Sequence, residues 1–595
     1  MRALRYVFLF VVPSTILAVS CRTASMPESE LNLGFEQRES DNTPSHWYVG
    51  GDGYVATLDS SIVHGGRYSL HLKYDHEGAD PHSSFGVGTS TFPIAAARGK
   101  TIRLSGWIRT KEVTKSAGLW LRVDGPGGVL AFNNMYDSAV NDTRDWKRYS
   151  FELPVDTSAI NINFGVLLNG HGDAWYDDLE IQLDSKPYVE PIPFEATSAQ
   201  LDWLKQHASP IKTVDAGHGF DDLAVLHNFI GSAKIVGVGE ATHGTSEFFR
   251  MKHRVLEYLV EKEGFNIFAI EANMPECERI NEYVLTGQGD PKKLLAGIYF
   301  WTWDTQEVLD MIEWMHAYNA SGKGRLQFAG FDMQTARVAA DEVESYVKRA
   351  DPKFSDSVTR AYSIVRDVED VMWSSDKAKA AVKDWAALAG ATEVINHLEA
   401  NQARYVRSLP SGMVDRMIQN ARIVEQAVAE KTAMTGGLRD SCMALNIAWI
   451  ETHNPGARIM VWAHNGHISK SRGHMGSWLS KRYGTQYVNI GFAFNDGTYT
   501  AITQSHGGPM AITASPAKLG SLEYTLHATQ LPMFFLNLRD AKPSDPNAAW
   551  LTKPLPVRSI GAVEDNMYWT QTLPEEYDGL IYIDHSTASH LLPKF

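Results

Sequence analysis

The chain has 595 residues, and its 55 Lys and Arg against 70 Asp and Glu leave a formal charge of −15, which argues against nucleic acid as a partner. With 44% apolar and 11% aromatic residues it can bury ordinary cores, and its length predicts two or three domains. Three cysteines with no CxxC pair exclude a disulfide scaffold and a paired-cysteine zinc site.

Arg2 and Arg5 precede an apolar run from Tyr6 to Val19. At about 1.5 Å per helical residue the run is short for a bilayer, so residues 1–20 read as an export signal. Ser20 before Cys21 resembles a bacterial lipoprotein processing site, with Cys21 as the lipidated first residue; Ala18-x-Ser20 also suits ordinary secretory cleavage. An exported protein is expected, touching a membrane only through a lipid on Cys21. Cys277 and Cys442 are expected to be buried free thiols.

Residues 27–185 predict an all-β sandwich. Runs rich in β-branched and aromatic residues recur between Gly, Asp, Asn and Pro clusters, at 68–74, 101–109, 118–123, 146–153, 160–168 and 174–183. Ile102, Leu104 and Ile108 would share one face while Arg103, Ser105 and Trp107 share the other. Asn32 to Glu36 and Ala174 to Glu180 resemble the first and last strands of carbohydrate-binding jelly-roll modules. That resemblance implies a structural calcium ion, with Glu36 and Asp178 as its ligands; the alternative is two solvated edge carboxylates. Trp47, Trp107, Trp120, Trp146 and Trp175 would either stack on a glycan or fill the core. Pro187, Pro191 and Pro193 mark a linker at 186–200.

From 201 to 595 the pattern alternates strand and helix. Apolar runs at 233–239, 265–272, 326–333 and 458–463 predict buried parallel strands, joined by 487–494, 533–538 and 579–583. The stretch after the first run carries Phe249, Val255, Leu256, Leu259 and Val260 at helical spacing, with Thr245 or Ser246 as its cap. A purely helical insertion is expected at about 341–435.

In such a sheet ligands bind beyond the carboxyl ends of the strands. Glu240 and His243 follow the first run, Glu271 ends the second, Asp332 ends the third, and His464 and His467 follow the fourth. Each alone reads as a cap or a structural polar group; together they predict one active site. There is no G-x-S-x-G elbow and no H-E-x-x-H helix, and Gly99-Lys100-Thr101 lacks the first Gly of a phosphate loop, which is Ile94 here. With no serine nucleophile in view, the His and Glu residues point to activation of water.

Gly239-Glu-Ala-Thr-His243-Gly-Thr-Ser-Glu247, Phe268-Ala-Ile-Glu271, Gly330-Phe-Asp332 and Trp462-Ala-His464-Asn-Gly-His467 resemble the erythromycin esterase family in order and spacing. The resemblance runs from about Leu201 to Phe595 and implies a three-layer α/β/α domain. It also implies metal-independent hydrolysis of a macrolide lactone or other ester, with His243 as general base and macrolide resistance as one outcome. Glu240, Glu271, His464 and His467 match the other acidic and His positions. Where resistance esterases carry an Arg in the first helix this chain has Lys252, flanked by Arg250 and Arg254, so oxyanion or substrate clamping is expected to differ.

The expected mechanism has Glu240 or Glu271 orienting His243, His464 or His467 assisting the leaving alkoxide, and Lys252 or Arg250 stabilising the oxyanion. Asp332 is a further substrate contact, and Trp301 and Trp303 would wall an apolar substrate or pack in the core. No catalytic cofactor is expected. Two other readings remain at this stage: a zinc or manganese hydrolase using His243, His464, His467 and a carboxylate, and a glycan-binding surface lipoprotein.

Overall fold

The computed structural model describes residues 31–39, 42–75, 85–125, 128–371, 377–432, 437–503, 507–564 and 568–593. The export signal and Cys21 lie outside the described residues. The chain divides into two compact units, 1–193 and 194–595.

The first unit is one antiparallel sheet of ten strands: β1 (Tyr48–Gly50), β2 (Tyr54–Asp59), β3 (Ser69–Tyr74), β4 (Gly86–Thr91), β5 (Thr101–Gly125), β6 (Gly128–Asn133), β7 (Val140–Pro154), β8 (Asn161–Asn169), β9 (Asp173–Leu183) and β10 (Lys186–Pro187). The two strands expected at 101–109 and 118–123 are one 25-residue strand. The stretch between the two expected runs is charged, yet Val113 and Ala117 stay buried and register shifts against β7 absorb the irregularity. The first half of β5 pairs with β7 and β9 and the second with β8 and β6, so both halves belong to the same sheet. Ile102, Leu104, Ile108, Leu119, Leu121, Phe164 and Tyr176 fill its core.

Trp47 and Trp175 are buried, whereas Trp107 is half-buried and stacks on His64 at 3.8 Å. Glu36 accepts the N–H groups of Arg67 and Tyr68, and Asp178 pairs with His64 Nδ1 at 2.6 Å. As placed, both carboxylates hold the turn at Gly65 and Gly66, and a cation would have to compete with these donors.

The second unit opens with the helix Ser198–His207, which starts three residues before the expected linker ends, because Thr197 and Gln200 form a capping box. Its strands are β11 (Ala208–Pro210), β12 (Ile235–Val238), β13 (Ile267–Asn273), β14 (Gln327–Asp332), β15 (Ile459–Trp462), β16 (Tyr487–Ile502), β17 (Pro509–Ala514), β18 (Met533–Asn537), β19 (Leu555–Arg558), β20 (Tyr568–Gln571) and β21 (Gly579–Ser586). Nine form a mixed sheet in the order β11-β18-β21-β16-β12-β15-β13-β14, with β17 on β16; the run from β16 to β14 is parallel.

Alternate residues of these strands enter two cores. Ile235, Ala269, Ile459 and Val461 pack with Val343, Val424 and Ile447 of the helices between β14 and β15. Val236, Phe268, Met460 and Trp462 pack with Phe249, Leu256 and Ile312. Apolar layers therefore cover both faces of the sheet, as parallel strands require. Helices Arg337–Ala350, Ser355–Val371, Lys377–Ala400 and Ser411–Thr432 occupy the expected insertion. The helix Ser246–Glu263 starts after Thr245, but Thr245 does not cap it with its side chain; its hydroxyl is bonded to that of Thr242 at 2.7 Å. Cys277 and Cys442 are buried free thiols in different cores. Among the described residues no helix is long and apolar enough to cross a membrane.

Because each unit has its own core, a chain beginning at Phe194 is expected to fold alone. Its calorimetric melting temperature should fall within about 3 °C of the matching transition in the full chain; an aggregated or molten product would contradict this.

Candidate active site

Glu240, His464, Glu271 and Asp332 sit at the carboxyl ends of β12, β15, β13 and β14, four neighbours in the sheet. Strands in a sheet lie about 4.8 Å apart, so side chains delivered to one edge meet. β13 carries one residue more than β14 between the pairs Ile270/Gly330 and Asn273/Asp332, a bulge that spans Glu271.

One half of the site is built on Glu240, which is fully buried. His243 Nδ1–H donates to its Oε1 at 2.6 Å, and Lys252 Nζ and Trp462 Nε1 donate to Oε2 at 2.6 and 2.9 Å. Donation to this carboxylate puts a proton on Nδ1, and among the described residues no hydrogen bond engages His243 Nε2. Trp303 stands edge-on behind this ring at 5.7 Å and donates its Nε1–H to the Glu271 carbonyl at 2.9 Å. Gly244 lies so close to β16 that a Cβ there would sit 2.0 Å from the Thr500 carbonyl oxygen, which fixes the loop carrying His243.

The other half is built on Arg439. Its Nε and Nη2 donate to Asp332 at 3.1 and 2.6 Å, and Nη2 also reaches Glu271 Oε1 at 2.7 Å. Its Nη1 lies 3.1 Å from His467 Nε2. His467 Nδ1 pairs with Asp440 at 2.8 Å, and its Nε2 lies 3.3 Å from Glu271. Glu271 Oε2 accepts the backbone N–H of His464 at 2.9 Å.

The surroundings push these groups apart. Burial opposes the charge of His467, but Glu271 and Asp440 outweigh it and raise its pKa to about 10. Burial first, then the charges of His243 and His467, push His464 down to about 3. Burial pulls Lys252 down to about 8 against the pull of Glu240. Glu271 is buried too, yet His467 and Arg439 hold it well below the usual carboxylate range.

His243, His467 and Arg439 keep 12%, 19% and 21% of their side-chain surface exposed, so a ligand can reach them. Lys252 is fully buried under Glu240 and cannot touch a substrate oxyanion. Arg250 points away along the same helix and pairs with Asp215. Among the described residues no hydrogen bond or ring contact joins Trp301 to the cluster, and Trp303 is a core wall. Asp332 holds Arg439 and Gln334 Nε2.

Arg439 and Asp440 escaped the sequence reading, although two charges where the apolar stripe of the helix Leu438–His453 begins were a signal. Trp462 stood in the Trp462-Ala-His464 motif, but nothing in the sequence pointed to its hydrogen bond with Glu240. Among the described residues no three His, Cys, Asp or Glu side chains are grouped to hold a metal ion. The carboxylates here are occupied by Lys, Arg, His and backbone donors.

Two outcomes follow from these charges. Lys252→Met leaves Glu240 buried without its ammonium partner, and should cost about 3–5 kcal/mol in denaturant unfolding. The pKa of His467 is raised on folding, so its stabilisation is complete below its unfolded value of about 6.5 and is lost as pH rises toward 10. Wild-type unfolding free energy should therefore fall more steeply between pH 7 and 10 than that of His467→Gln.

The family model for erythromycin esterase matches residues 260–586. YbfO of Bacillus subtilis, whose name makes it a hydrolase only provisionally, is 26% identical over 424 residues, covering 66% of this chain and 92% of its own. The Escherichia coli erythromycin esterase type II is 23% identical over 437 residues, covering 66% and 99%. A crystal structure of a Bacillus cereus protein superposes with a TM-score of 0.59 at 28% identity, over 67% of this chain and all of that one. The chain belongs to the erythromycin esterase family and is a hydrolase of the esterase kind.

Proposed function

We propose that this protein hydrolyses an ester or lactone by direct attack of water, with His243 as general base. The observation that supports the reading most is the Glu240–His243 pair at 2.6 Å, in a ring 12% exposed whose Nε2 has no hydrogen bond among the described residues. Glu240 fixes the tautomer and stabilises the imidazolium that forms, as the acid of a triad does. Lys252 and Trp462 hold Glu240 in turn and act as positioning residues. Arg439, partly open, is the donor best placed to stabilise negative charge on substrate oxygen.

A macrolide is one candidate substrate, acylated sugars and other lactones are others, and macrolide resistance is one consequence the family allows. Export, lipid anchoring at Cys21, glycan contact through the first unit and a calcium ion at Glu36 and Asp178 belong to the same proposal. Melting of the first unit with and without EDTA tests the calcium ion.

The function is tested by incubating the protein with macrolides, other lactones and acylated sugars and following a mass gain of one water. His243→Ala should lower kcat by at least about 10²-fold with a near wild-type melting temperature, because the ring contributes a proton transfer and little packing. Full activity in that variant would remove His243 from the mechanism.

A further inference from the structure

We propose that His467 Nε2, beside Arg439 Nη1, protonates the leaving alcohol oxygen of the ester, and that Asp440 positions His467 for that step. The inference rests on hydrolysis at His243 as set out above.

Of the two histidines after β15, His464 cannot serve. Its Nε2–H donates to the Ile560 carbonyl at 3.1 Å and its Nδ1 accepts the Gly466 N–H at 3.2 Å, so both nitrogens are spent on backbone. His467 is held unequally. Its Nδ1 bond to Asp440 is short at 2.8 Å, and the same carboxylate oxygen is fixed by the Met475 N–H at 2.8 Å. The contact of its Nε2 with Glu271 is long at 3.3 Å, so the Nε2 proton is the one that can be given up.

Arg439 supplies the second observation. Asp332 and Glu271 take its Nε and Nη2, and the remaining Nη1 lies 3.1 Å from His467 Nε2. With the ring charged, two N–H donors lie 3.1 Å apart, and the acceptor they share, Glu271 Oε1, is 3.3 Å from Nε2 and already taken by Arg439 Nη2. An oxygen gaining negative charge satisfies both. Burial opposes the charge of His467, and Asp440 and Glu271 keep it protonated near neutrality.

In the step, His243 Nε2 takes a proton from water as the water oxygen bonds to the ester carbon, and the carbonyl electron pair moves onto its oxygen. That pair then re-forms the C=O bond. The bond to the alcohol breaks, its electrons go to the alcohol oxygen, and that oxygen takes the proton from His467 Nε2. The ring is left neutral with Nδ1–H on Asp440. The proton on His243 restores His467, and the carboxylic acid product releases its own proton to water. A charged acid matters only where the leaving oxygen is strongly basic, so the site is fitted to alkyl esters and lactones over aryl esters.

The test compares the methyl and 4-nitrophenyl esters of one acid in the full chain. In Asp440→Asn and His467→Gln the loss of kcat on the methyl ester should exceed the loss on the nitrophenyl ester by at least about tenfold. The alkaline limb of the Asp440→Asn pH profile should also move to lower pH. Equal losses on the two esters overturn this proposal and leave the hydrolytic reading standing; undiminished activity of His243→Ala overturns the latter. A readout independent of turnover is the ring of His467, followed by NMR of ¹⁵N-histidine. It should remain charged at pH 8 in the wild type and titrate lower in Asp440→Asn, and a neutral wild-type ring at pH 8 overturns the proposal.

Discussion

The ion pair of Glu240 with Lys252, both fully buried, is the constraint on which the rest of the second unit depends. Taking two charges out of water costs several kcal/mol each, and their attraction offsets this only if every remaining donor and acceptor is satisfied. Both Glu240 oxygens are used, by His243 on one side and by Lys252 and Trp462 on the other. The ammonium group also lies 4.4 Å from the Trp462 ring, whose face favours a cation. Lys252 must then fall on the inward side of the helix after β12, and Trp462 must stand on the strand next to β12. The Glu240–His243 pair and the strand order answer the same electrostatic requirement.

That strand order explains the long insertion. β15 lies between β12 and β13 although it follows β14 in the chain, so the chain has to return across the sheet before it can form. The helices that carry it back add their apolar faces to the core on that side, and the last of them, Leu438–His453, begins with Arg439 and Asp440 at the site. Asn465 ties the result together. Its backbone N–H donates to the Glu240 carbonyl, and its side chain exchanges hydrogen bonds with the backbone of Phe492 on β16.

Much of this was legible because it lies in local pattern. The apolar runs of β12 to β15 and the polar residues just past each one are readable without knowing the strand order, and that edge is where Glu240, His243, Glu271, Asp332, His464 and His467 meet. What could not be read depends on register or on distant contacts. Arg250 and Lys252 are two residues apart on one helix and so face different ways, yet only the packing decides which of them meets Glu240. Arg439 and Asp440 lie more than 150 residues from Glu271 in sequence, and no local spacing links them. In the first unit β5 reads as two strands because its middle is charged, while the two small buried residues that keep it continuous are too sparse to register as a pattern.

Two of the three histidines of the site are driven in opposite directions by their surroundings. A base must offer a lone pair at the same pH at which an acid offers a proton, so environments have to separate otherwise identical rings. Here the separation comes from which carboxylates are already neutralised. Glu240 is shared between His243 and Lys252. Asp440 and Glu271 together favour a proton on His467 even against the nearby guanidinium of Arg439. His464 stands beside His243, with ring centres 5.0 Å apart, and burial and both neighbouring rings oppose a charge on it. With its two nitrogens tied to backbone, it fills the space beside His243. The site thus drives two neighbouring rings, His464 and His467, in opposite directions within one cluster.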